Sequence, residues 1–366
     1  MKIELKKNIV QEMLGKAVRL VGKHITLPVL SCVLFDLKKD GVLTIRSTNL
    51  DLGLETKTRT QNKEETAFAV PGNIFLNTLS SIEDQDIYLE EDNNNLKIIS
   101  SKKEATIKCM PKDDFPSIPK VENKNYLEIS SEDLVHGLRA VWYSASVSNI
   151  KPELSSVYIH ELDNTLVFVS TDSFRLSEKS LHVKNISDFP TTLIPQKNVS
   201  EIIKILETFS GKVKLIFDKN QLAIEMGDTY IVSRLIDGSF PDYKQIIPKS
   251  FSTKITLLKS DIVSALKASN IFNDSLNQVK LSINKEKNIL EIKTKNNDIG
   301  EYKETIKASI EGESLELNFN SRYIADSFQS IASDSLTLEF GGLGKPLIIK
   351  GVSDKSFMYM VMPMNR

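Results

Sequence analysis

The sequence predicts an α+β fold made of three copies of one domain, because one pattern of residues recurs at a spacing of about 125 residues. The clearest repeat is a helix-opening segment at Val70–Ile82, Ile194–Leu206 and Phe319–Ile331. Each segment joins an N-terminal helix signal to apolar residues at helical spacing. Because solenoid repeats run about 20–50 residues, a period this long describes whole domains.

A second repeated segment, a short strand that leads into a helix, opens each copy at Lys2–Leu14, Tyr126–Leu138 and Thr253–Leu266. Apolar residues first alternate, as on one face of a strand, and then recur at i and i+4, as on a helix. Ser130–Asp133 and Lys259–Asp261 are predicted helix N-caps. The predicted strand pairs are Ile3/Leu5, Leu127/Ile129 and Ile255/Leu257, and the helix pairs are Ile9/Met13, Leu134/Leu138 and Ile262/Leu266.

Each predicted first helix is followed by a hairpin of alternating strands, at Val29–Asn49, Leu154–Asp172 and Asn277–Lys295. Aspartate, asparagine, lysine and glycine mark the turns, as is usual in hairpins. Another set of strands follows each second helix. Each domain therefore consists of two successive units, each a strand, a helix and further strands. Together they form an α+β domain with two helices packed on antiparallel sheet.

Two matching linkers set the predicted domain boundaries. Asp113–Val121 and Gly238–Ser250 both carry Phe-Pro followed by an apolar-Pro pair. Proline lacks a backbone donor and biases the residue before it toward extended backbone, so these linkers are stiff. We place the three domains at residues 1–124, 125–250 and 251–366.

The composition is that of an ordinary globular protein, with 366 residues, 40% of them apolar and 26% charged. The net charge of −1 argues against a protein that wraps DNA by bulk charge. No apolar run reaches the roughly 20 residues of a membrane span, and the N-terminus lacks a signal-peptide pattern, so we expect a cytoplasmic protein. Cys32 and Cys109 are expected to be buried, reduced thiols.

Basic residues recur on the predicted helices of all three copies. Solvated helix faces would explain any single lysine, but the recurrence favours one mildly positive helical face. The residues concerned are Lys6, Lys7, Lys16, Arg19, Lys23, Arg139, Lys197, Lys204, Lys267 and Arg322.

The sequence offers little for catalysis. Its four histidines show no metal-binding spacing, and it contains neither a nucleophile elbow nor a phosphate loop. The segment Ser170–Arg175 unites serine, aspartate and arginine, which would suit an active site. Its counterpart Ser47–Leu52 in the first copy favours a structural role instead. We therefore predict a protein that is not an enzyme and that uses no metal or cofactor.

The C-terminal segment concentrates methionine. Half of the eight methionines alternate within seven residues, at Met358, Met360, Met362 and Met364. They could fill the core of a last strand, or they could form a soft surface that repacks around different ligands. Composition alone leaves both interpretations open.

Taken together, the three repeats and four short motifs resemble the bacterial sliding clamp family, the β subunit of DNA polymerase III. The motifs are Thr26–Leu30, Ser170–Leu176, Asp237–Tyr243 and Val361–Met364, and the resemblance covers the whole chain. It implies three clamp domains per chain and a head-to-tail homodimer ring whose helices line the hole. It also implies a non-catalytic subunit that encircles duplex DNA and tethers the polymerase, thereby conferring processivity.

The resemblance also implies which residues meet DNA and which meet the second chain. DNA would be held without regard to sequence by Lys23, His24, Lys151 and Lys197, although Ser148, Pro152 and Glu153 depart from residues common in the family. The dimer would close between the strand around Ala105–Lys108 and a helix end, through Ile107, Ile271 and Phe272.

A partner-peptide pocket is the third implication. Polymerase subunits, the clamp loader and repair proteins would insert short motifs, typically glutamine followed by leucine and phenylalanine. Ser173, Phe174 and Gln245 depart from the family pattern, so we expect a different partner preference. The pocket would comprise Leu154, Thr171, Arg175, Leu176, Pro241, Ile246, Met360, Val361, Met362, Pro363 and Met364.

Two alternatives remain beside the clamp. The first is a ring or arc-shaped peptide-binding scaffold that does not encircle nucleic acid. The second is an enzyme with its site around Ser170–Arg175. Neither accounts for both the threefold repeat and the terminal methionines.

Overall fold

The computed structural model describes residues 2–22, 27–123, 126–183, 186 and 189–364. These residues form two compact units, one of residues up to 132 with 200–235, the other of 133–199 with residues from 236 onward. No helix in the described ranges is long and apolar enough to cross a membrane.

The order of elements repeats three times along the chain, as the sequence predicts. The first copy holds β1 (Lys2–Lys6), α1 (Lys7–Ala17), β2 (Cys32–Leu37), β3 (Val42–Thr48), β4 (Leu52–Arg59), β5 (Thr66–Pro71), α2 (Gly72–Ser81), β6 (Asp86–Asp92), β7 (Asn95–Ile99) and β8 (Glu104–Lys108). The second holds β9 (Tyr126–Ser130), α3 (Ser131–Val141), β10 (Ser156–Leu162), β11 (Thr165–Thr171), β12 (Arg175–His182), β13 (Thr192–Pro195), α4 (Gln196–Leu206), β14 (Lys212–Phe217), β15 (Gln221–Met226) and β16 (Thr229–Arg234).

The third copy follows the same order with one extra short strand. It holds β17 (Thr253–Leu258), α5 (Lys259–Ser269), β18 (Gln278–Asn284), β19 (Ile289–Asn296), β20 (Gly300–Lys307), β21 (Ser309–Gly312), β22 (Leu315–Asn320), α6 (Ser321–Ser327), β23 (Ser335–Phe340), β24 (Leu347–Gly351) and β25 (Phe357–Val361). Single turns of 3₁₀ helix include Asn270–Phe272, directly after α5, and Tyr243–Ile246, in the linker between β16 and β17.

The first compact unit contains two antiparallel sheets. One has four strands in the order β1-β6-β7-β8, and the other has eight in the order β5-β2-β3-β4-β16-β15-β14-β9. The larger sheet joins the first copy to the second, because β4 pairs with β16 in a register that sets Gly53 opposite Val232. Strands far apart in sequence thus belong to one continuous sheet.

The second compact unit is built in the same way. A four-stranded sheet has the order β20-β19-β18-β22, and a nine-stranded sheet has the order β13-β10-β11-β12-β25-β24-β23-β17-β21. Here β12 of the second copy pairs with β25 of the third, with Leu176 opposite Met360.

One face of each helix contributes apolar residues to the buried core, mostly at the predicted positions. Leu134, Leu138, Ile262 and Leu266 are buried, as the i and i+4 spacing predicts. In α1 the prediction is partly wrong, since Ile9 is 41% exposed while Val10 and Leu14 are fully buried. The helix begins at Lys7, directly after β1, so its apolar stripe lies one residue further along.

The helix starts are only partly as predicted. Asn320 caps α6, where its side chain accepts hydrogen bonds from the backbone N–H groups of Arg322 and Tyr323 at 3.0 and 3.3 Å. The cap predicted at Lys259–Asp261 is wrong, because α5 already begins at Lys259 and follows Leu258 without a side-chain cap. An aspartate in the first turn still favours the helix by its charge.

Candidate functional sites

The strand pair β12–β25 brings together the central residues of the predicted pocket. Arg175 lies opposite Val361 and Leu176 opposite Met360. Thr171, at the end of β11, lies opposite Leu176. Residues separated by more than 180 positions in sequence therefore meet on one sheet.

A cluster of apolar side chains forms the floor of the predicted pocket. Leu176 and Met360 are buried in it. Burial of this kind favours folding by roughly 25 cal/mol per Å² of apolar surface, so the cluster also stabilises the β12–β25 pairing. Its other buried members are Val167, Val169, Tyr243 and Ile348, and Tyr158, Phe240, Ile247, Phe251 and Met358 pack against it.

Several of these residues were missed by the sequence analysis. Tyr243 and Phe240 lie in the linker Gly238–Ser250 and in the motif Asp237–Tyr243, but neither is among the predicted pocket residues; two aromatic side chains within three residues of each other are the signal that could have indicated packing. Tyr243 is held by a 3.3 Å contact between its hydroxyl and Nε2 of His160. Ile348, on β24, carried no signal apart from its place in an apolar strand.

The turn between β11 and β12 has a fixed geometry. Oδ1 of Asp172 accepts hydrogen bonds from the N–H groups of Phe174 and Arg175 at 2.9 and 3.0 Å. The hydroxyl of Thr171 donates to the carbonyl of Arg175 at 2.6 Å. Ser173 has a φ of +78°, in the left-handed region that non-glycine residues seldom adopt. The turn leaves the side chain of Phe174 62% exposed at the end of strands β11 and β12.

Arg175 is engaged by neighbouring side chains and backbone. Nε donates to Asp172 at 2.9 Å, Nη1 to Asp326 at 2.6 Å and Nη2 to the carbonyl of Tyr143 at 2.7 Å. Burial opposes the charged form, but interactions with Tyr359, Asp172 and Asp326 outweigh it and raise the pKa of the guanidinium. Arg175 therefore holds the site together and remains charged.

The outer wall carries the more accessible predicted residues. Ile246 and Pro241 are exposed, and Met362, Pro363 and Met364 are half-buried. The N–H of Met362 donates to the carbonyl of Phe174 at 2.8 Å, which continues the strand pairing past β25. The N–H of Met364 donates to the carbonyl of Asn318 at 2.8 Å and so anchors the end of the described chain.

Besides Phe174, two residues that depart from the family pattern lie near this wall. Ser173 occupies the strained position of the turn. The side-chain amide of Gln245 donates to Asp242 at 2.8 Å. Leu154 is buried in a separate loop, where its N–H donates to the carbonyl of Lys151 at 3.0 Å.

The residues predicted to face DNA are only partly described. Lys23 and His24 lie outside the described residues. Lys151 is exposed in the loop before β10, and Lys197 is exposed in the first turn of α4. The two described lysines lie on neighbouring segments, because the N–H of Gln196 donates to the carbonyl of Ser155 at 2.9 Å and the N–H of Ser155 donates to the carbonyl of Lys151 at 3.2 Å.

The residues predicted to form the dimer contact differ in exposure. Ile271 is 67% exposed, and the ring of Phe272 stacks on Tyr302 of β20 with centroids 5.9 Å apart. Ile107 on β8 is buried within its own unit. Its side chain therefore packs inward, and β8 offers its backbone edge.

The chain matches models of one protein family along almost its whole length. The models of the DNA polymerase III beta subunit match residues 1–119 with the N-terminal domain, 128–242 with the central domain and 244–365 with the C-terminal domain. Over 374 residues the chain is 26% identical to the beta sliding clamp of Staphylococcus epidermidis, with 99% of both covered.

Solved structures show the same fold. The DNA polymerase III beta subunit of Thermotoga maritima is 25% identical, with a TM-score of 0.93 over 100% of this chain and 99% of that one. The sliding clamp of Bartonella birtlesii, solved bound to griselimycin, is 27% identical, with a TM-score of 0.94 over all of both chains. With three consecutive family models matched, the chain belongs to the DNA polymerase III beta subunit family, the beta sliding clamps.

Proposed function

We propose that two copies of this chain close into a head-to-tail ring around duplex DNA and hold a polymerase on its template. The ring acts in the cytoplasm, binds DNA without regard to sequence and is a non-catalytic processivity subunit. The one observation that carries this proposal is the way in which successive copies of the domain share a sheet.

The fourth strand of one copy pairs with the last strand of the next copy. This holds for β4 with β16 and for β12 with β25. The equivalent strands that remain are β20, the fourth of the third copy, and β8, the last of the first. In the described part of the chain, each of these two has a ladder partner on one side only.

Pairing β20 of one protomer with β8 of the next would repeat the same junction between chains. Such a contact is heterologous, and it makes a ring when the rotation closes. It would also cover two sheet edges that would otherwise invite aggregation. The family resemblance, rather than the strand pairing, sets the number of chains at two.

Residues beside β20 suit this contact. Ile271 is exposed, and Phe272 packs on Tyr302 of β20, so an apolar group lies beside the edge strand. Ile107 would support β8 from within, because its side chain is buried in its own unit.

DNA is held by enclosure, so weak contacts are sufficient. Lys151 and Lys197 are exposed, and together with Lys23 and His24 they would attract backbone phosphates. Such contacts carry no sequence information and weaken as salt rises. A ring that binds in this way can slide.

Partner proteins dock on the pocket beside β12 and β25. Leu176 and Met360 supply an apolar floor, and Phe174 and Ile246 supply exposed apolar surface at its rim. Clefts of this kind with a few polar groups suit peptide anchors. Polymerase subunits, the clamp loader and repair proteins would each bind through short motifs carrying leucine and phenylalanine. The griselimycin-bound relative from Bartonella birtlesii supports a ligand-binding role for the family.

The domains of this clamp are proposed to be residues 1–124, 125–250 and 251–366. The linkers at Asp113–Val121 and Gly238–Ser250 support these limits. The two compact units divide the chain differently, since a shared sheet ties the end of the second copy to the first.

Retention on DNA tests the proposal. Protein loaded by a clamp loader should stay on nicked circular DNA through gel filtration at moderate salt and should be lost when the circle is cut. Equal retention on circular and linear DNA would contradict enclosure. The alternative scaffold, which is not favoured, would be retained on neither.

A further inference from the structure

The third copy differs from the first in how its opening strand is covered. Strand β21, which follows β20 after Ala308 alone, pairs with β17 from Thr253 to Thr256. On the other side, β23 pairs with β17 as far as Leu258. In the described part of the chain, the last two residues of β17 therefore have a ladder partner on one side only. Residues 60–65 of the first copy form no strand equivalent to β21.

A cleft of about 680 Å³ opens beside this uncovered edge, where β20 and β21 part into different sheets. Its volume lies in the range of about 300–1,000 Å³ that ligand pockets usually have. The whole cleft belongs to the second compact unit. We call it the third-copy cleft, and its lining includes Leu257, Leu258, Lys287, Ile289, Lys307 and Ala308.

The floor of the third-copy cleft is aliphatic at a position where the other copies are polar. Leu258, the last residue of β17, is 52% exposed, whereas the last residues of β1 and β9 are Lys6 and Ser130. Ile289 and Ala308 line the same cleft and are half-buried. A single exposed leucine is ordinary, but aliphatic side chains gathered in one cleft are typical of a binding surface.

Two lysines make the rim of the cleft positive. Lys287 and Lys307 are exposed, and neither forms an ion pair with any residue that the structure describes. None of the described residues that line the cleft is acidic, since Glu286 and Asp334, which adjoin lining residues in sequence, are not among them. Positive charge beside an aliphatic floor complements a ligand that combines carboxylates with an aliphatic side chain.

An extended peptide fits this surface better than nucleic acid does. Single-stranded nucleic acid is usually held by aromatic side chains on which the bases stack, and the described lining of the cleft contains no aromatic residue. A peptide can instead pair its backbone with the uncovered edge at Leu257 and Leu258, as in β-strand addition. Residues two apart in an extended chain share a face, so one face can carry both the aliphatic anchor and its flanking carboxylates.

The third-copy cleft also stays clear of the proposed contact between chains. Strand β4 pairs with β16 from Leu52 to Thr56, and β12 pairs with β25 from Arg175 to Lys179, so the last three residues of both strands lie past the ladder. If β20 pairs with β8 in the same way, Lys307 at its end lies past that ladder too. This step alone rests on the proposed function.

We propose that the third-copy cleft binds an extended acidic segment of a partner protein. One aliphatic side chain of the segment lies against Leu258, Ile289 and Ala308, and carboxylates two residues to either side lie beside Lys287 and Lys307. Binding there requires neither DNA nor the pocket beside β12 and β25.

Methyl NMR on the full-length protein tests this directly. With isoleucine, leucine and methionine methyl groups labelled, Leu258 and Ile289 report on the third-copy cleft. The probe is the blocked pentapeptide Glu-Ala-Leu-Ala-Glu, and its matched controls are Lys-Ala-Leu-Ala-Lys and Glu-Ala-Gly-Ala-Glu. We expect saturable shifts of the Leu258 and Ile289 methyls with the acidic leucine peptide, with a Kd of roughly 1 mM, and at least tenfold weaker binding of both controls.

Two variants at exposed positions identify the site. Leu258→Lys places at the end of β17 the residue that ends β1, and it should weaken binding at least tenfold when Ile289 is the reporter. The double variant Lys287→Glu with Lys307→Glu should reverse the preference and favour the lysine peptide over the glutamate peptide. Matching thermal unfolding curves would establish that both variants fold.

Four outcomes would overturn the proposal. They are the absence of shifts with the acidic leucine peptide, equal affinity for either control peptide, undiminished binding by Leu258→Lys, and an unchanged preference in the double variant. Shifts of Leu258 and Ile289 with a ten-nucleotide oligothymidine, but not with the acidic peptide, would assign the cleft to nucleic acid instead.

The same spectra separate this proposal from the proposed function. A peptide with glutamine, leucine and phenylalanine should move the methyls of Met360 and Met364, which lie at the pocket beside β12 and β25, whatever happens at Leu258. If these methionines respond and Leu258 does not respond to the acidic peptide, the third-copy cleft is not a binding site and the partner pocket stands.

Discussion

Nη1 of Arg175 donates to the carboxylate of Asp326 at 2.6 Å and joins residues 151 positions apart in sequence. The same guanidinium lies over the ring of Tyr323 at 4.4 Å and donates to Asp172. One side chain thus links the turn after β11 to helix α6.

Replacing this arginine should destabilise the protein strongly. Arg175→Ala leaves the half-buried Asp172 without its guanidinium partner, and loss of one partner of a buried ion pair costs about 3–5 kcal/mol. Asp326→Asn should cost less, about 1–2 kcal/mol, because that carboxylate is more exposed. Urea unfolding measures both. The exposed Arg322→Ala is the control, and an Arg175→Ala variant as stable as this control would refute the role.

Asn320 should stabilise helix α6 as its N-cap. Asn320→Ala removes the acceptor of two backbone N–H groups and should lower the free energy of unfolding by about 1 kcal/mol. Asn320→Asp keeps the acceptor and serves as the matched control. Chemical denaturation of the two variants measures the difference. Equal losses in both would show that the cap contributes nothing.

Lowering the pH should reduce the stability of the folded protein, because it protonates Glu55 in the first copy. Burial raises the pKa of this carboxyl, but bonds from Arg46, Lys120 and Lys57 outweigh it and lower the pKa from 4.5 to about 2. Because the folded pKa is the lower one, the stabilisation is complete above about pH 4.5 and is lost as the pH falls toward 2. The loss amounts to roughly 3 kcal/mol at most.

The pH dependence of unfolding tests this role of Glu55. Wild type should lose more stability between pH 5 and pH 2 than Glu55→Gln does. The exposed Glu83→Gln should follow the wild-type curve. If Glu55→Gln follows it too, the carboxylate is not the group that titrates.

Shortening the C-terminus should abolish partner binding. Deleting residues 362–366 removes the half-buried Met362, Pro363 and Met364 from the wall of the pocket. The affinity for a labelled peptide with glutamine, leucine and phenylalanine should fall by at least tenfold in a fluorescence titration. Sedimentation should still show the dimer. Retained affinity would place the peptide site elsewhere.

Negative charge introduced at the proposed contact should separate the two chains of the dimer. Ile271→Asp with Phe272→Asp would bury carboxylates beside β20 and should yield monomers in sedimentation velocity. Val147→Asp, at an exposed apolar residue of the second copy, is the control and should remain a dimer. A dimer that survives the double change would remove Ile271 and Phe272 from the interface.

Local patterns predicted most of the elements correctly. The strand pairs Ile3/Leu5 and Leu127/Ile129 are buried, and so is the helix pair Leu134/Leu138. The errors concern the residue at which a helix begins. Ile9 is exposed because α1 starts directly at the end of β1, and Lys259, predicted to belong to an N-cap, is already the first residue of α5.

The site was predicted by motif and only in part. Leu176 and Met360 do meet, but Tyr243 and Ile348 also form the floor and were not expected. Arg175, predicted to line the pocket, forms ion pairs with Asp172 and Asp326, which no motif indicated. A motif marks a position in the chain, whereas hydrogen bonds between distant segments decide what a side chain there touches.

Alternating and helical periodicities were enough to establish three copies of an α+β domain and the order of their elements, since these signals arise within a few residues. The pairing of β4 with β16 and of β12 with β25, and the packing of the Ile118 side chain against Gly53, could not be inferred in this way. They depend on which strand edges meet after the chain has folded and on how side chains remote in sequence pack, and no local pattern encodes either.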